Sequence, residues 1–551
     1  GADEIAGIFH ETNAPVITFT DIPSPACIAS PKIITGVTIT DAAGIPLTGA
    51  LRPRIYYRRN TDPWFSQPGT NTAGTATNST WTFTIVEADM GALLLGDIIS
   101  YFIVAQDLMP VSNIGTNPVA GTDAITVNDI RIPPATPKTY LISASLGGLY
   151  TVGSGGNFPT LNAAVNAYNI ACSLTSAVIF ELIPAGVIPE TYPIIIRNHA
   201  DASAVNTLTI RPSATTSSGY SSINDTELFK LDGARYVTFD GRQGGVGTSK
   251  SISVTNAGNL GAAFRFINDA QHNTIKYCDI RSQSKSVTGG TIVFSTTSVS
   301  GGTGNDHNTI DNNQIKDPSV GQEPINAIFS LGTASAGNDS IVITNNNIFN
   351  YYNATNSTAG IFASSNNNAW TITGNRLFQE SPLGSKLYTA AASHYAIRIT
   401  SGAGYTINNN IIGFDNASGS GSTKMIGNSV TLAGFPTGYS VAGTAVAITY
   451  AAISAGFDPA GAVSAIDGNN IGGIAMYTSS GITTQAGMLC GISVLNGNAN
   501  IGSTTGNTIG STTGNNSIYV TTNNFGGSVV GIYTNSNGTV SIENTNIGSI
   551  T

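Results

Sequence analysis

Charge is scarce in this chain. Lys, Arg, Asp and Glu make up 10% of 551 residues, where about 25% is usual. Acids outnumber bases by 31 to 22, a net charge of −9, so no basic surface is available to neutralise phosphates and a nucleic-acid partner is excluded. After Lys424 scarcity becomes absence: the last 127 residues hold no Lys, Arg or His, and their only acids are Asp458, Asp467 and Glu543. A tract with so few groups able to move a proton is structural rather than catalytic. No apolar run approaches the roughly 20 residues that cross a bilayer. The chain opens on Gly1-Ala-Asp-Glu4 without the pattern of a signal peptide, and a processed or excised N-terminus is expected. The four cysteines, Cys27, Cys172, Cys278 and Cys490, are too dispersed for a zinc site or a disulfide framework and are expected as buried single thiols.

What the chain has instead is a recurring phrase, in which an aliphatic residue, two or three polar residues rich in Asn and another aliphatic follow one another. Ile275-Lys-Tyr-Cys-Asp-Ile280, Ile310-Asp-Asn-Asn-Gln-Ile315, Ile343-Thr-Asn-Asn-Asn-Ile348, Ile372-Thr-Gly-Asn-Arg-Leu377 and Ile407-Asn-Asn-Asn-Ile411 are copies. Ile466-Asp-Gly-Asn-Asn-Ile471 and Ile542-Glu-Asn-Thr-Asn-Ile547 continue the series. Most copies start about 29 to 35 residues apart, with a longer gap before Ile466, a period that marks a repeat architecture. Units this short bury no core alone and must stack. Asn and Gly between aliphatics mark a bend, because both tolerate left-handed backbone. A second strand precedes each phrase, as in Ala327-Ile-Phe-Ser-Leu331 and Ala396-Ile-Arg-Ile399. Three short strands and three bends per unit predict a right-handed parallel β-helix. Ten to twelve turns from residue 210 onward, at about 4.8 Å each, predict a rod of about 50–60 Å. Asn312, Asn346, Asn375, Asn409 and Asn470 are expected to stack as an internal amide ladder.

Residues 1–130 differ. Alternating runs at 16–19, 33–39, 54–57, 81–85, 98–104 and 124–127, split by Pro- and Gly-rich turns, predict an Ig-like β-sandwich. Pro133-Pro-Ala-Thr-Pro137 places a stiff linker at 131–138, and the solenoid follows over 139–551. A helix at about 159–170, with Leu161, Ala164, Val165 and Tyr168 on one face, is expected to cap its start. The last residues, Ile547-Gly-Ser-Ile-Thr551, stop within a repeat; solenoids need capped ends, so a fragment of a longer protein is expected.

Gly-Gly-Asn-Phe-Pro-Thr-Leu-Asn-Ala-Ala-Val at 155–165 resembles the capping segment of pectinesterase and pectate-lyase-like β-helix proteins. The sandwich, with Tyr56-Tyr-Arg58, Trp64, Trp81 and Tyr101–Asp107, resembles surface proteins of Bacteroidota. So do the late repeats Asn507-Thr-Ile-Gly-Ser511 and Asn546-Ile-Gly-Ser-Ile550. That resemblance implies an extracellular or outer-surface adhesin or fibre, exported by the type IX system, with glycans, other surface proteins or the secretion machinery as partners. The sorting domain such cargo usually carries is absent from the sequence.

A β-helix also hosts polysaccharide lyases and hydrolases. Hydrolysis needs two carboxyl groups about 5–10 Å apart; lysis needs a base beside Ca²⁺ held by carboxylates. The best catalytic candidates are Asp279, Asp306, His307, Asp311 and Asp317. The aspartate pairs and Gly-His-Gly phrases of the pectinase-like enzymes are missing, no motif supports Ca²⁺, and no cofactor or metal is expected. A binding site demands less: sugars stack on aromatic faces and bond to planar polar groups. Residues 349–405 concentrate such groups, and Tyr351, Tyr352, Trp370, Arg376, Tyr388, His394, Tyr395 and Arg398, with Tyr405, form the candidate glycan site. The favoured function is a non-catalytic adhesive or structural rod; a polysaccharide lyase or hydrolase and a subunit of a surface assembly are the alternatives.

Overall fold

The computed structural model describes residues 12–28, 31–119, 124–183, 186–380, 385–428, 430–431, 440–441, 445–514, 517–524 and 526–551. Gly1 to Glu4, where the processed start is expected, lie outside them. The chain forms two compact units, residues 1–146 with 170–175, and residues 147–169 with 176–551.

In the second unit each phrase is a bent pair of strands. Thr309–Asp311 runs in, Asn312 and Asn313 turn the chain, and Gln314–Lys316 runs out. Strands one turn apart pair in parallel, so like positions stack. Ile275, Ile310, Ile343, Ile372, Ile407, Ile466, Ile501 and Ile542 form one column in a first sheet. Ile280, Ile315, Ile348, Leu377, Ile412, Ile471 and Ile509 form another in a second sheet. The strand ahead of each phrase builds a third sheet, whose column runs Ile292, Ile328, Ile361, Ile397, Ile453, Ile492 and Ile532. All of these up to Ile509 are buried, and burial of one such side chain contributes about 1.5–3 kcal/mol before conformational entropy is subtracted. The fold is a parallel β-helix.

Two features differ from the expected series. The structure adds a turn at Ile501 that the phrase does not mark, because residues 502–506 separate its aliphatic from the following Asn507. A fourth sheet of Ser385–Leu387, Thr423–Ile426, Ile474–Thr478 and Ile518–Thr522 adds a strand to the later turns. Its second strand lies in the long gap between Ile407 and Ile466.

The bend between the first and second sheets takes two residues. The first is left-handed: Tyr277, Asn312, Asn345, Gly374, Asn409 and Gly468 have φ of 53, 56, 57, 70, 56 and 64°. The second faces the interior: Asn313, Asn346, Asn375, Asn410, Asn469 and Asn507 are all buried. From Asn346 onward, each Oδ1 accepts the backbone N–H and one Nδ2 hydrogen of the ladder Asn one turn before, at 2.8–3.1 Å. The other Nδ2 hydrogen goes to a first-sheet carbonyl, from Ile275 to Ile466, at 2.8–2.9 Å. The buried amides are thereby satisfied. Asn346 and Asn375 are in the ladder as expected. Asn312 and Asn409 are not: they take the left-handed position one residue earlier. Asn470 begins the outgoing strand instead.

The helix is Leu161–Asn169, with Leu161, Ala164, Val165 and Tyr168 buried. It begins slightly later than Pro159, at the point where Thr160 Oγ1 accepts from Ala163 N at 3.1 Å. Both oxygens of Glu190 accept from Leu161 N and Asn162 N, at 2.6 and 3.1 Å, as suits a carboxylate at a helix N-terminus. At the other end Asn169 pairs with the third sheet's first strand, Ile194–Arg197. Its Nδ2 donates to Ile195 O at 2.7 Å and its Oδ1 accepts from Arg197 N at 2.9 Å. One side chain thus satisfies backbone groups along a strand edge, the part of a sheet most open to unwanted pairing.

The first unit is a two-sheet sandwich. One sheet joins Val16–Thr18, Lys32–Thr40, Asn78–Ile85 and Thr70–Thr75; the other contains Ala26–Cys27, Lys138–Ser143, Ile98–Gln106, Arg54–Arg59 and Phe65–Pro68. Trp81, Phe83, Tyr57, Tyr101 and Tyr140 share its core. Residues 124–127 are not a strand; Val127 instead covers the outer face of the second sheet with Tyr56, Phe102 and Val104. The sandwich also extends past the linker assigned to 131–138, since Lys138–Ser143 pairs antiparallel with Ile98–Gln106. The expectation of single thiols fails for two cysteines: Cys27 and Cys172 are disulfide-bonded. Sequence spacing hid this pair because strand pairing creates it. Cys27 lies beside Ser143 in the ladder, and Cys172 N donates to Ala144 O at 3.0 Å. Cys278 and Cys490 are buried free thiols.

Candidate functional site

The five catalytic candidates are spread over the first and second sheets and the corners beside them. Asp279 is on the outer face of the second sheet, bound to Arg281, whose Nε donates at 3.0 Å. Asp311 ends a first-sheet strand and accepts from Thr344 Oγ1 at 2.9 Å. Asp306 and His307 stand at the corner entering that strand. Asp306 accepts from Asp339 N at 2.8 Å, and burial raises its pKa. His307 stacks on His272 with ring centroids 4.9 Å apart. Asp317 is buried beyond the second sheet, where Asn350 Nδ2 donates to it at 2.9 Å. Each acid is held by neighbours on its own corner. Among the described residues, no three His, Cys, Asp or Glu side chains are grouped to hold a metal ion.

The aromatic set divides. Tyr351, Trp370, Tyr388, His394 and Tyr405 are buried and present no face to a sugar. Trp370 Nε1 donates to Asn338 O at 2.6 Å. His394 lies between Tyr351 and Tyr450, with centroids 5.0 and 5.5 Å away. Its Nδ1 is 2.8 Å from Thr358 Oγ1 and 3.4 Å from the Tyr388 hydroxyl. Burial, with a smaller push from Lys386, holds its pKa down at about 3. Arg376 belongs to the second sheet and donates to Gly374 O at 2.9 Å. Tyr352 carries the Lys386 ammonium 5.3 Å above its ring, and Lys386 is itself paired with Glu323 at 3.3 Å.

Tyr395 and Arg398 are different. Both point outward from Ala392–Ile399 in the third sheet, half-buried. Register then places Ser393 beside Thr449, Tyr395 beside Ala451, and Arg398 beside Ser454 and, one turn further, Ser493. Ser393, Tyr395, Thr449, Ala451, Ser454 and Ser493 floor a groove of about 230 Å³, walled by Ile482, Thr484, Gln485, Ala486 and Gly487; Arg398 is not part of that lining but adjoins it through the Tyr395 ring. The volume is below the roughly 300–1,000 Å³ of drug-sized pockets and suits part of an extended chain. The lining offers a phenol ring and several hydroxyls, and none of its residues is Asp, Glu, His, Lys or Cys. Such a surface stacks on a ring and exchanges hydrogen bonds; it has no group poised to transfer a proton near neutral pH. The Arg398 guanidinium lies 4.8 Å from the Tyr395 ring and 4.5 Å from that of Phe362.

Of the groove's lining, sequence singles out only Tyr395, together with Arg398 that adjoins it. Ser454 and Ser493 come from turns far apart in the chain. A signal for them existed: each directly follows the core aliphatic of its strand, Ile453 or Ile492, as Arg398 follows Ile397.

No protein-family model matches the chain, and no curated protein sequence matches it. Among solved structures it is similar to the Streptococcus pneumoniae surface protein and adhesin PfbA. The identity is 12% and the TM-score 0.30, over 70% of this chain and 95% of that one. A second structure of PfbA, titled a surface adhesin, gives 12% and 0.25 over 60% and 82%. No helix among the described residues is long and apolar enough to cross a membrane.

Proposed function

We propose that this chain is a non-catalytic surface or secreted adhesive protein whose β-helix binds a glycan in the groove on the outer face of its third sheet. The observation that carries this is the groove's lining, an aromatic ring among hydroxyls with no proton-transferring side chain. The stacked columns beneath hold that lining on a rigid surface. The catalytic candidates lend a lyase or hydrolase no comparable support, because they are spread over two sheets and their corners rather than lining the groove. The resemblance to Bacteroidota surface proteins adds type IX export to the proposal; disabling that system in the source organism would then strip the protein from the cell surface.

The test is a panel of plant, algal and microbial polysaccharides with the purified chain, with and without Ca²⁺. Retention is expected on at least one of them. Neither new reducing ends nor the ultraviolet absorbance of unsaturated uronates should appear. Tyr395→Ala should weaken retention roughly 5- to 100-fold, the loss of one stacking platform with its hydroxyl. Turnover abolished by Asp306→Ala or Asp311→Ala would overturn the proposal in favour of an enzyme; neither retention nor turnover would favour a structural subunit.

A further inference from the structure

We infer that the groove's ligand is an acidic saccharide, bound through a carboxylate or sulfate group on Arg398; this rests on the glycan-binding proposal above and adds the ligand's charge. Most arginines of the β-helix are neutralised at home. Arg211 pairs with Glu181, Arg235 with Asp269, Arg242 with Asp240, Arg265 with Glu227 and Arg281 with Asp279. Among the described residues, Arg398 has no carboxylate partner and no side-chain hydrogen bond. Its position is nevertheless defined, because the guanidinium carbon sits 4.5 Å from the Phe362 ring and 4.8 Å from the Tyr395 ring. Aromatic contacts of this kind hold the plane of the group while leaving its N–H fork free. That fork matches a planar or tetrahedral oxyanion, to which it can donate two parallel bonds.

The surroundings select against other uses of this cation. Its neighbours along the outer column are Phe362 before it, then Ser454 and Ser493. Among the described residues no acid lines the groove, so an arriving anion meets no like charge there. The chain as a whole is acidic, at −9, and long-range attraction does not draw an anion in; recognition must come from the local fork. Tyr395 is both a ring under Arg398 and a lining residue of the groove, so an anionic group on Arg398 places its sugar ring against the phenol and the half-buried hydroxyls of Ser393 and Thr449. An acidic protein segment would share the oxyanion but has less use for that row of hydroxyls; it is an outcome of the test rather than the proposal.

The experiment measures affinity of the full chain for galacturonate oligomers, for sulfated oligosaccharides and for neutral oligomers of matched length. Arg398→Gln and Arg398→Lys are measured alongside, with thermal unfolding of each variant to confirm folding. The parent is expected to prefer at least one acidic series. Arg398→Gln should weaken that series roughly 10- to 100-fold and weaken any neutral binding by clearly less. Arg398→Lys should retain part of the affinity, since the charge remains but the fork is lost. Which acidic series binds separates carboxylate from sulfate. The inference is overturned if Arg398→Gln binds the acidic series as the parent does, if neutral saccharides alone bind, or if only acidic proteins bind. In the neutral-only case glycan binding itself stands; if no saccharide binds at all, that proposal falls too.

Discussion

Asn410→Ala is expected to lower the unfolding free energy by about 3–6 kcal/mol, and Asn409→Ala by only about 1 kcal/mol. The two residues are adjacent and chemically identical, and the difference lies in where the bend places them. Asn410 Oδ1 accepts Asn375 N and Nδ2, at 3.0 and 3.1 Å, and its Nδ2 supplies Ile372 O and Asn469 Oδ1, both at 2.9 Å. Removing the amide leaves about three buried polar groups without partners, each worth roughly 1–3 kcal/mol. Asn409 is exposed and left-handed at φ 56°. Alanine there loses only the ease with which Asn adopts that backbone, and Asn409→Gly should be close to neutral. Urea unfolding of the purified variants measures both. Equal losses at 409 and 410 would show that the ladder register described here is wrong.

The second large effect is on acid stability. His394 is buried between two tyrosines, and burial depresses its pKa to about 3. An unfolded histidine titrates near 6.5, so only the unfolded chain takes up the proton between these values. The stability that the neutral imidazole contributes is fully present above about pH 6.5 and is lost as pH falls toward 3. The slope approaches about 1.4 kcal/mol per pH unit, and the total is about 4–5 kcal/mol. His394→Phe keeps a ring between Tyr351 and Tyr450 and removes the titration. Denaturant unfolding of parent and variant from pH 7.5 to 4 should show the parent losing stability more steeply below pH 6.5. Parallel curves would mean that His394 is protonated without cost in the fold.

The β-helix was legible because its signal is periodic. The aliphatic residues that open and close the phrases become the columns of the first two sheets, except that Ile412 rather than Ile411 takes the column position in the copy from Ile407, and Asn and Gly mark the bend between them. Register within the bend was harder to read, since three polar residues in a row leave the inward one ambiguous. Counting three residues from the first aliphatic settles it: Asn313, Asn346, Asn375, Asn410 and Asn469 all fall there. The Cys27–Cys172 pair carried no local signal, because closure of a loop of 145 residues depends on strand pairing in the sandwich. The candidate site was half legible for a related reason. Aromatic residues mark both packing and recognition, and composition does not say which way a side chain faces. The alternation of Ala392–Ile399 does: His394 turns in, while Ser393, Tyr395 and Arg398 turn out.

Hydrogen exchange, with and without the saccharide that the chain retains best, tests the central proposal most directly. Protection on binding is expected in residues 392–399, 448–456 and 479–496, the strands and wall of the groove. Protection centred on 306–317 or in the sandwich, or none at saturating saccharide, would contradict a third-sheet site.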